Sequence, residues 1–197
     1  MEGGSMVDYI SGFHDDVCRV ILCNNGQRII LYKVPPLAIS KYIIPDIANR
    51  LVANIKLNDK KGLQKLHRDL LKEICYIPTI TIKDNNELHP LNTIGQRCGN
   101  CLQISILEAS ILRGLGFSER EVYVFLLLHK GESVFEASHA VCGVFLEKKE
   151  ICLENEVIIL DPSNLKTCSI SLLKLLLTHN IHTFFNDKIA FLVEILK

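Results

Sequence analysis

The most restrictive feature of the sequence is an apolar segment that runs from Cys101 to Leu115. Apolar residues recur in it at steps of three and four positions, the spacing that lines up one face of an α-helix: Ile104, Leu107, Ile111 and Leu115. Asn100, directly before the segment, is of a type that caps helices at their start. Gly116, directly after it, favours the left-handed conformation that ends them. We therefore predict a buried helix that begins at Cys101.

A β-hairpin is predicted upstream of this helix. Residues 17–22 and 27–34 are apolar runs on either side of Cys23-Asn24-Asn25-Gly26, whose composition is typical of a tight turn. Two prolines break the chain after the second run. Residues 37–56 carry apolar residues at mixed helical spacing, and Pro45 predicts that this segment is kinked or split into two helices.

The next two segments differ in polarity. Residues 60–76 carry leucines and an isoleucine along one stripe, which predicts an amphipathic helix. Residues 83–97 are polar and contain Pro90, and we predict a loop there. This loop is also where we place an internal boundary of the chain.

The second half of the chain is predicted to form a sheet. Residues 121–129, 137–147 and 157–161 are rich in β-branched and aromatic residues, and polar or charged segments separate them. They predict three consecutive antiparallel strands. Residues 170–177 are predicted to be helical, and residues 190–195 are consistent with a closing strand, although their apolar pattern does not by itself distinguish strand from helix.

These elements predict an α+β fold, in which the helix beginning at Cys101 packs on an antiparallel sheet. A chain of 197 residues that is 48% hydrophobic can bury one core of ordinary size. We predict a flexible leader at residues 1–6, an N-terminal hairpin and helical region at residues 7–83, and a core that carries the chemistry at residues 84–197.

Charge and composition exclude several classes of function. Lys plus Arg and Asp plus Glu both number 22, so the chain has no basic excess for a phosphate backbone, and we predict no nucleic-acid partner. No run reaches the roughly 20 apolar residues that cross a bilayer, and the first residues lack the order of a signal peptide. We therefore predict no membrane association and a cytoplasmic location. The eight cysteines are expected to be reduced thiols.

Cys101 is the cysteine best placed to react. At a helix start, unpaired backbone amides and the positive end of the helix dipole stabilise a thiolate, which is the nucleophilic form of the side chain. Asn100 is the predicted cap, and Gly99 is expected to let a substrate approach the backbone closely. The amide of Cys101 would then be available to an oxyanion.

His139 and Asp161 are predicted to lie side by side on adjacent strands. A hairpin centred near Glu150 places them directly opposite each other, because each is eleven positions from that centre. A carboxylate beside an imidazole fixes its tautomer and stabilises its charged form. Strand alternation puts Gly143 on the same face as His139, and we expect it to keep that face open beside the imidazole.

Three blocks of the sequence resemble the transglutaminase-like superfamily, which includes papain-fold transglutaminases, cysteine peptidases and peptide N-glycanases. The first, Gly99-Asn100-Cys101 with Leu112-Arg113-Gly114-Leu115-Gly116-Phe117, is similar to the family's G-x-C and the ending of the helix that follows it. The second, His139-Ala140-Val141, is similar to its His-Ala-Trp strand. The third, Leu160-Asp161-Pro162-Ser163, is similar to its Leu-Asp-Pro-Thr. The resemblance covers roughly residues 88–168.

The resemblance implies a papain-like fold and a thiol enzyme that acts on amide bonds of peptides or proteins. It implies Cys101 as nucleophile, His139 as base and Asp161 as the residue that orients the base, with no cofactor or metal. Gln96, five residues before the cysteine, is the candidate for a second oxyanion contact. Because most small relatives of this kind resemble peptidases, we favour a cysteine peptidase. The sequence does not predict the oligomeric state.

Other functions remain open at this point. The same acyl-enzyme chemistry serves a protein-glutamine transglutaminase or deamidase, with an amine or water as acceptor. A non-catalytic binding module on the same scaffold is also possible, since Val141 stands where the family usually has an aromatic residue. Finally, Cys98 and Cys101 form a C-x-x-C, the pattern of a redox pair or of half a zinc site, although no second pair completes a tetrahedral site.

Overall fold

Four α-helices and eleven strands occur in the part of the chain that the computed structural model describes, residues 9–10, 19–22, 28–47, 59–79, 82–127, 139–147, 151 and 153–196. The helices are α1 (Lys60–Glu73), α2 (Pro90–Gln96), α3 (Cys101–Gly114) and α4 (Leu172–Thr178). The strands are β1 (Tyr9–Ile10), β2 (Arg19–Leu22), β3 (Arg28–Val34), β4 (Cys75–Tyr76), β5 (Cys98–Gly99), β6 (Val122–Leu127), β7 (His139–Phe145), β8 (Glu156–Leu160), β9 (Cys168–Ser171), β10 (Ile181–Phe185) and β11 (Ala190–Leu196). Short 3-10 turns lie at Ser40–Tyr42, Pro45–Ile47 and Asn85–Leu88.

Nine of these strands form one antiparallel sheet in the order β1-β2-β3-β11-β10-β6-β7-β8-β9. The predicted hairpin is confirmed as β2 and β3, although its turn lies outside the described residues. The three consecutive strands are confirmed as β6, β7 and β8, and the closing strand as β11. Because β11 pairs with β3 along its whole length, the sheet joins residues on both sides of the boundary predicted at residue 83.

The helix predicted from Cys101 is confirmed as α3, and it is buried along most of its length. Every residue from Gln103 to Leu112 is buried. Gly116 has a positive φ of 97°, and two hydrogen bonds close the helix end, from the Gly116 amide to the Arg113 carbonyl and from the Phe117 amide to the Leu112 carbonyl. This pair of bonds is a Schellman motif, as a glycine after the last turn favours.

The sheet separates two apolar clusters. The helix-side cluster packs α1 and α3 against alternate residues of β7, namely Ala140, Cys142 and Val144. The aromatic cluster lies on the other face of β7, where α4 covers it, and contains Tyr123, Phe125, Phe145, Phe184 and Phe191. Its rings meet edge to face or stacked, with centroids 4.8–6.1 Å apart, the arrangements that aromatic side chains prefer. The helices therefore lie on both faces of the sheet.

Gly143 does not keep a face open beside His139, and that expectation is wrong. A Cβ atom added at Gly143 would lie 2.3 Å from the Phe125 ring and 2.9 Å from Val157. The phenyl ring of the aromatic cluster fills the space that the missing side chain leaves, so the glycine is needed for packing.

Gly143→Ala is expected to destabilise the fold by about 1–3 kcal/mol, because the extra methyl group overpacks the Phe125 ring. Gly95→Ala is the matched control. Gly95 lies in α2 with nothing within 4 Å of its added Cβ, so alanine there should stabilise by up to about 1 kcal/mol. Urea unfolding of the two variants measures both effects, and equal midpoints would contradict the packing role.

Three predicted segments differ from the structure. The helix predicted at residues 60–76 ends at Glu73, and Cys75–Tyr76 forms β4, which pairs in parallel with β5. The loop predicted at residues 83–97 instead contains a 3-10 turn and α2. Pro90 is the first residue of α2, where a missing amide proton costs nothing, and the His89 side chain accepts a hydrogen bond from the Leu91 amide. The described part of residues 37–56 contains only the two 3-10 turns.

Within the described ranges, no helix combines the length and the apolar character needed to cross a membrane.

Candidate active site

Cys101 is the first residue of α3, and a capping box holds this end of the helix. The Asn100 side chain accepts a hydrogen bond from the Gln103 amide, and the Gln103 side chain accepts one from the Asn100 amide, both at 3.0 Å. The Gln103 side chain also donates to the carbonyl of Glu87 at 3.0 Å. The predicted cap is thus confirmed, and Cys101 lies half-buried at the positive end of a fixed helix.

Gly99, which was expected to let a substrate approach the backbone, is instead packed against other residues of the protein. It is buried, and a Cβ atom added there would lie 3.0 Å from Thr93 and 3.2 Å from Gln103. The glycine allows close packing of β5 against α2 and α3. Its packing therefore accounts for the small residue without any contact with a substrate.

Asp161 follows directly after β8 and is held by the turn that it begins. Its Oδ1 accepts hydrogen bonds from the Ser163 amide at 2.9 Å and from the Ser163 hydroxyl at 2.7 Å. The Asn164 amide donates to the Asp161 carbonyl at 2.8 Å. Asp161 thus uses the side-chain and backbone bonds typical of aspartate at a turn, and its carboxylate has a fixed direction.

His139 begins β7 and meets Asp161 diagonally across the β7–β8 pair. The distance from His139 Nε2 to Asp161 Oδ1 is 2.9 Å. The strand register pairs Gly143 with Ile159, and its continuation places Asp161 opposite Val141. The predicted direct opposition of His139 and Asp161 is therefore wrong, because the hairpin is centred one residue later. Diagonal neighbours on one face of a sheet remain within reach of long side chains.

The Cys101 thiol lies near the imidazole of His139, close enough to raise its pKa. Because Nε2 faces Asp161, Nδ1 is the ring nitrogen left for the sulfur. The hydrogen bond to Asp161, followed by the interaction with the Cys101 thiol, raises the pKa of His139 to about 9. Burial acts to raise the pKa of Asp161, but hydrogen bonds from His139 and Ser163 lower it to about 2. Around neutral pH the pair is therefore an imidazolium held by a carboxylate.

The structure also brings Tyr76 to this site, which the sequence did not predict. Tyr76 lies in β4 opposite Gly99, two residues before Cys101. Burial raises the pKa of its phenol, and the nearby charges of Cys101 and Asp161 raise it further. The phenol therefore stays protonated and can donate a hydrogen bond. A two-residue strand has no periodicity, so the sequence pattern contained no signal for it.

Gln96 and Cys98 are placed differently from the three predicted triad residues. Gln96 is exposed at the end of α2, and no hydrogen bond between described residues joins it to Cys101, His139 or Asp161. Cys98 is a half-buried free thiol in β5, opposite the exposed free thiol of Cys75. No group of three or more His, Cys, Asp and Glu side chains in the described part of the chain is arranged to hold a metal ion.

Among the comparisons with known proteins, only the one with solved structures finds a match. No family model and no curated protein matches the sequence. The structure of EGTA-treated LapG from Legionella pneumophila matches with a TM-score of 0.50 and 16% identity, over 81% of this chain and 87% of LapG. Another LapG structure matches with a TM-score of 0.48 and 16% identity, over 81% of this chain and 90% of LapG. The chain has a fold distantly similar to that of LapG.

Proposed function

We propose that the chain is a cysteine peptidase with a transglutaminase-like, papain-like core that cleaves amide bonds of peptides or proteins. One observation supports the proposal: the His139–Asp161 hydrogen bond lies beside Cys101, at the start of a buried helix. The fold adds support, since LapG is a transglutaminase-like cysteine protease. A nucleophile, a base and a residue that orients the base are the groups that acyl transfer requires.

The reaction follows from these positions. The Cys101 thiolate forms a bond to the carbonyl carbon, and the oxyanion that results lies at the Cys101 amide and the positive end of α3. His139 gives its proton to the leaving amine as the carbon–nitrogen bond breaks. His139 then removes a proton from a water molecule, which attacks the thioester and releases the acid and the thiolate.

Tyr76 enters this proposal as a second oxyanion donor. Its phenol lies near Cys101 and Asp161 and its raised pKa keeps it protonated, whereas Gln96 is exposed. A protonated phenol near the reacting carbonyl can donate a hydrogen bond to the developing charge, as side-chain donors in oxyanion holes do.

The first test is the reactivity of the thiol, which needs no substrate. Cys101 is half-buried, whereas Cys75 and Cys168 are exposed, so accessibility alone predicts that Cys101 reacts more slowly. If His139 activates it, limited labelling with iodoacetamide at pH 7 should modify Cys101 about tenfold faster than either exposed cysteine. Mass spectrometry of the labelled peptides measures the three rates together.

Cys98 and a histidine variant serve as controls for this labelling. Cys98 lies three positions from Cys101 and is also half-buried, so it should react slowly. His139→Gln should reduce Cys101 to the rate of an ordinary thiol. Labelling of Cys101 no faster than Cys75, and unaffected by His139→Gln, would reject the enzyme and favour a binding module.

A peptide mixture then identifies the acceptor. Hydrolysis gives shorter peptides, whereas a transglutaminase attaches an added fluorescent primary amine to glutamine, and a deamidase converts glutamine to glutamate without chain cleavage. Products that depend on Cys101 and consist of cleaved peptides support the peptidase, and amine adducts or deamidation alone would reassign the activity.

A further inference from the structure

A buried pair of titratable side chains lies behind the candidate triad and is not part of it. His67, on α1, and Glu108, on α3, both have fully buried side chains, and the distance from His67 Nδ1 to Glu108 Oε1 is 2.5 Å. The other ring nitrogen, Nε2, lies 2.7 Å from the backbone carbonyl oxygen of Asn164. His67 therefore bridges the helix that carries Cys101 and the turn that carries Asp161.

The carbonyl of Asn164 fixes where the protons of His67 lie. A carbonyl oxygen only accepts, so Nε2 carries a proton and donates it. One further proton then lies between Nδ1 and the Glu108 carboxyl group, and the pair has no net charge whichever atom holds it. This arrangement suits a buried site, where a net charge is costly.

Burial and nearby polar groups set the pKa values of both members of the pair. Burial acts to lower the pKa of His67, but Glu108 and the carbonyls of Asn164 and Asp161 raise it overall. Burial raises the pKa of Glu108, and so does the charge of Asp161, whereas His67 lowers it. The thiol of Cys142, on β7, also lies near Glu108; burial raises the pKa of that thiol, and the charge of Glu108 raises it further. Glu108 Oε2 has no hydrogen-bond partner among the described residues.

The turn that His67 contacts is the one that directs the Asp161 carboxylate. The Asn164 amide donates to the Asp161 carbonyl at 2.8 Å, and Ser163 donates twice to the Asp161 side chain. A bond that holds Asn164 therefore holds the closing residue of this turn. The Asp161 side chain, in turn, lies 2.9 Å from His139.

We propose that His67 is a positioning residue for the candidate triad. Its Nε2 donates a hydrogen bond to the Asn164 carbonyl and so holds the turn that orients the Asp161 side chain toward His139. Glu108 holds the imidazole in the orientation that this hydrogen bond requires. The inference rests on the function proposed for Cys101, His139 and Asp161. The sequence contained one signal for this pair, since Glu108 is the only charged residue between Cys101 and Leu112.

Two substitutions at His67 separate the two nitrogens. The amide nitrogen of glutamine can occupy the place of Nε2, and that of asparagine the place of Nδ1. In the full chain, His67→Gln should keep the bond to Asn164, and iodoacetamide should label Cys101 of this variant at a rate within about threefold of the wild-type rate. His67→Asn should keep a contact with Glu108 but lose the tether, which is the hydrogen bond from position 67 to the Asn164 carbonyl. Iodoacetamide should then label Cys101 roughly 10-fold to 100-fold more slowly, as expected for a misplaced catalytic group.

Thermal unfolding and a neighbouring variant control for stability. Leu63 is fully buried one turn before His67 on α1, so Leu63→Val should lower the unfolding temperature without slowing the labelling. Equal losses of labelling rate in His67→Asn and His67→Gln, in proportion to the loss of thermal stability, would show a merely structural role and overturn the proposal.

Hydrogen exchange measured by nuclear magnetic resonance tests the role of His67 independently of the proposed function. If Cys101 of the wild type labels like an ordinary thiol, the proposed function fails, and the tether is judged by hydrogen exchange. The Asn164 amide should then exchange faster in His67→Asn than in His67→Gln, and equal rates would overturn the tether. If His67→Asn does not fold, the wild type decides: a slowly exchanging proton on His67 Nε2 supports the tether, and an unprotonated Nε2 rejects it.

Discussion

Asp161→Ala is expected to lower acyl transfer by about 10⁴-fold, the loss typical of removing the carboxylate of a catalytic triad. The substitution removes the acceptor for His139 Nε2 at 2.9 Å and the two bonds from Ser163 that fix its direction. His139 is then free to turn away from Cys101. Hydrolysis of p-nitrophenyl acetate by the wild type and the variant, followed as released nitrophenol, measures the change.

Asp161→Asn is the matched variant, because asparagine can still accept the proton on Nε2 but carries no charge. Thiol enzymes with a Cys-His-Asn triad exist, so its rate should lie between those of the wild type and Asp161→Ala. A loss of less than tenfold in Asp161→Ala would contradict a role for Asp161 in acyl transfer.

The pH dependence of the same two proteins follows from the pKa values. The wild type should lose the activity that requires protonated His139 above about pH 9. In Asp161→Asn the main cause of that raised pKa is gone, so the alkaline limit should move toward neutral pH. An unchanged limit would show that Asp161 does not control the protonation of His139.

The free energy of unfolding should also depend on pH, because both pKa values are shifted in the folded state. A raised pKa in the folded state stabilises the fold fully below the ordinary value, 6.5 for His139, and this contribution is lost as the pH rises through about 9. A lowered pKa stabilises above the ordinary value, 3.8 for Asp161, and this contribution is lost as the pH falls through about 2. The advantage of the wild type over Asp161→Asn in thermal unfolding should therefore be largest between pH 3.8 and 6.5.

Asp187→Ala is expected to destabilise the fold by up to about 3–5 kcal/mol, because it leaves Arg113 without its carboxylate partner in a largely buried ion pair. Arg113 lies in the last turn of α3 and donates to both carboxylate oxygens of Asp187, at 2.7 and 3.2 Å, and also to the Phe117 carbonyl. Both charged side chains are only 11% exposed. Urea unfolding of the variant measures the change in the free energy of unfolding.

Lys188→Ala is the control for this prediction, since Lys188 also contacts Asp187 but is 67% exposed and 3.9 Å away. An exposed pair of this kind contributes about 0–1 kcal/mol. A similarly small effect of Asp187→Ala would contradict the anchoring role of the Arg113 bond, which ties the end of α3 to the turn between β10 and β11.

Local signals predicted the parts of the fold that depend on few residues. Asn100, the apolar spacing after Cys101 and Gly116 together define α3, because caps and periodicity act within one element. The strands β6 to β8 were predicted for the same reason, since they are consecutive and pair with their neighbours. Pro90 misled the prediction of residues 83–97, because proline both interrupts helices and begins them.

Some elements that depend on distant partners were not predicted. β10 is a short segment whose strand conformation is supported by pairing with β6 and β11, and it has no pattern of its own. For the site, the sequence predicted Cys101, His139 and Asp161 from their motifs, and the structure brings all three together. It did not predict Tyr76 or His67, because their places beside the site depend on how β4 and α1 pack.

The pairing of β3 with β11 has a consequence for synthesis of the chain. Arg28 lies opposite Leu196, and Val34 opposite Ala190, so β3 emerges from the ribosome long before its partner. At about 5–20 residues per second, the delay is roughly ten to thirty seconds. During that time the hairpin β2–β3 presents an unpaired edge to other chains, the kind of surface that promotes aggregation. Late pairing across the sheet makes this protein a candidate for chaperone protection until β11 is made.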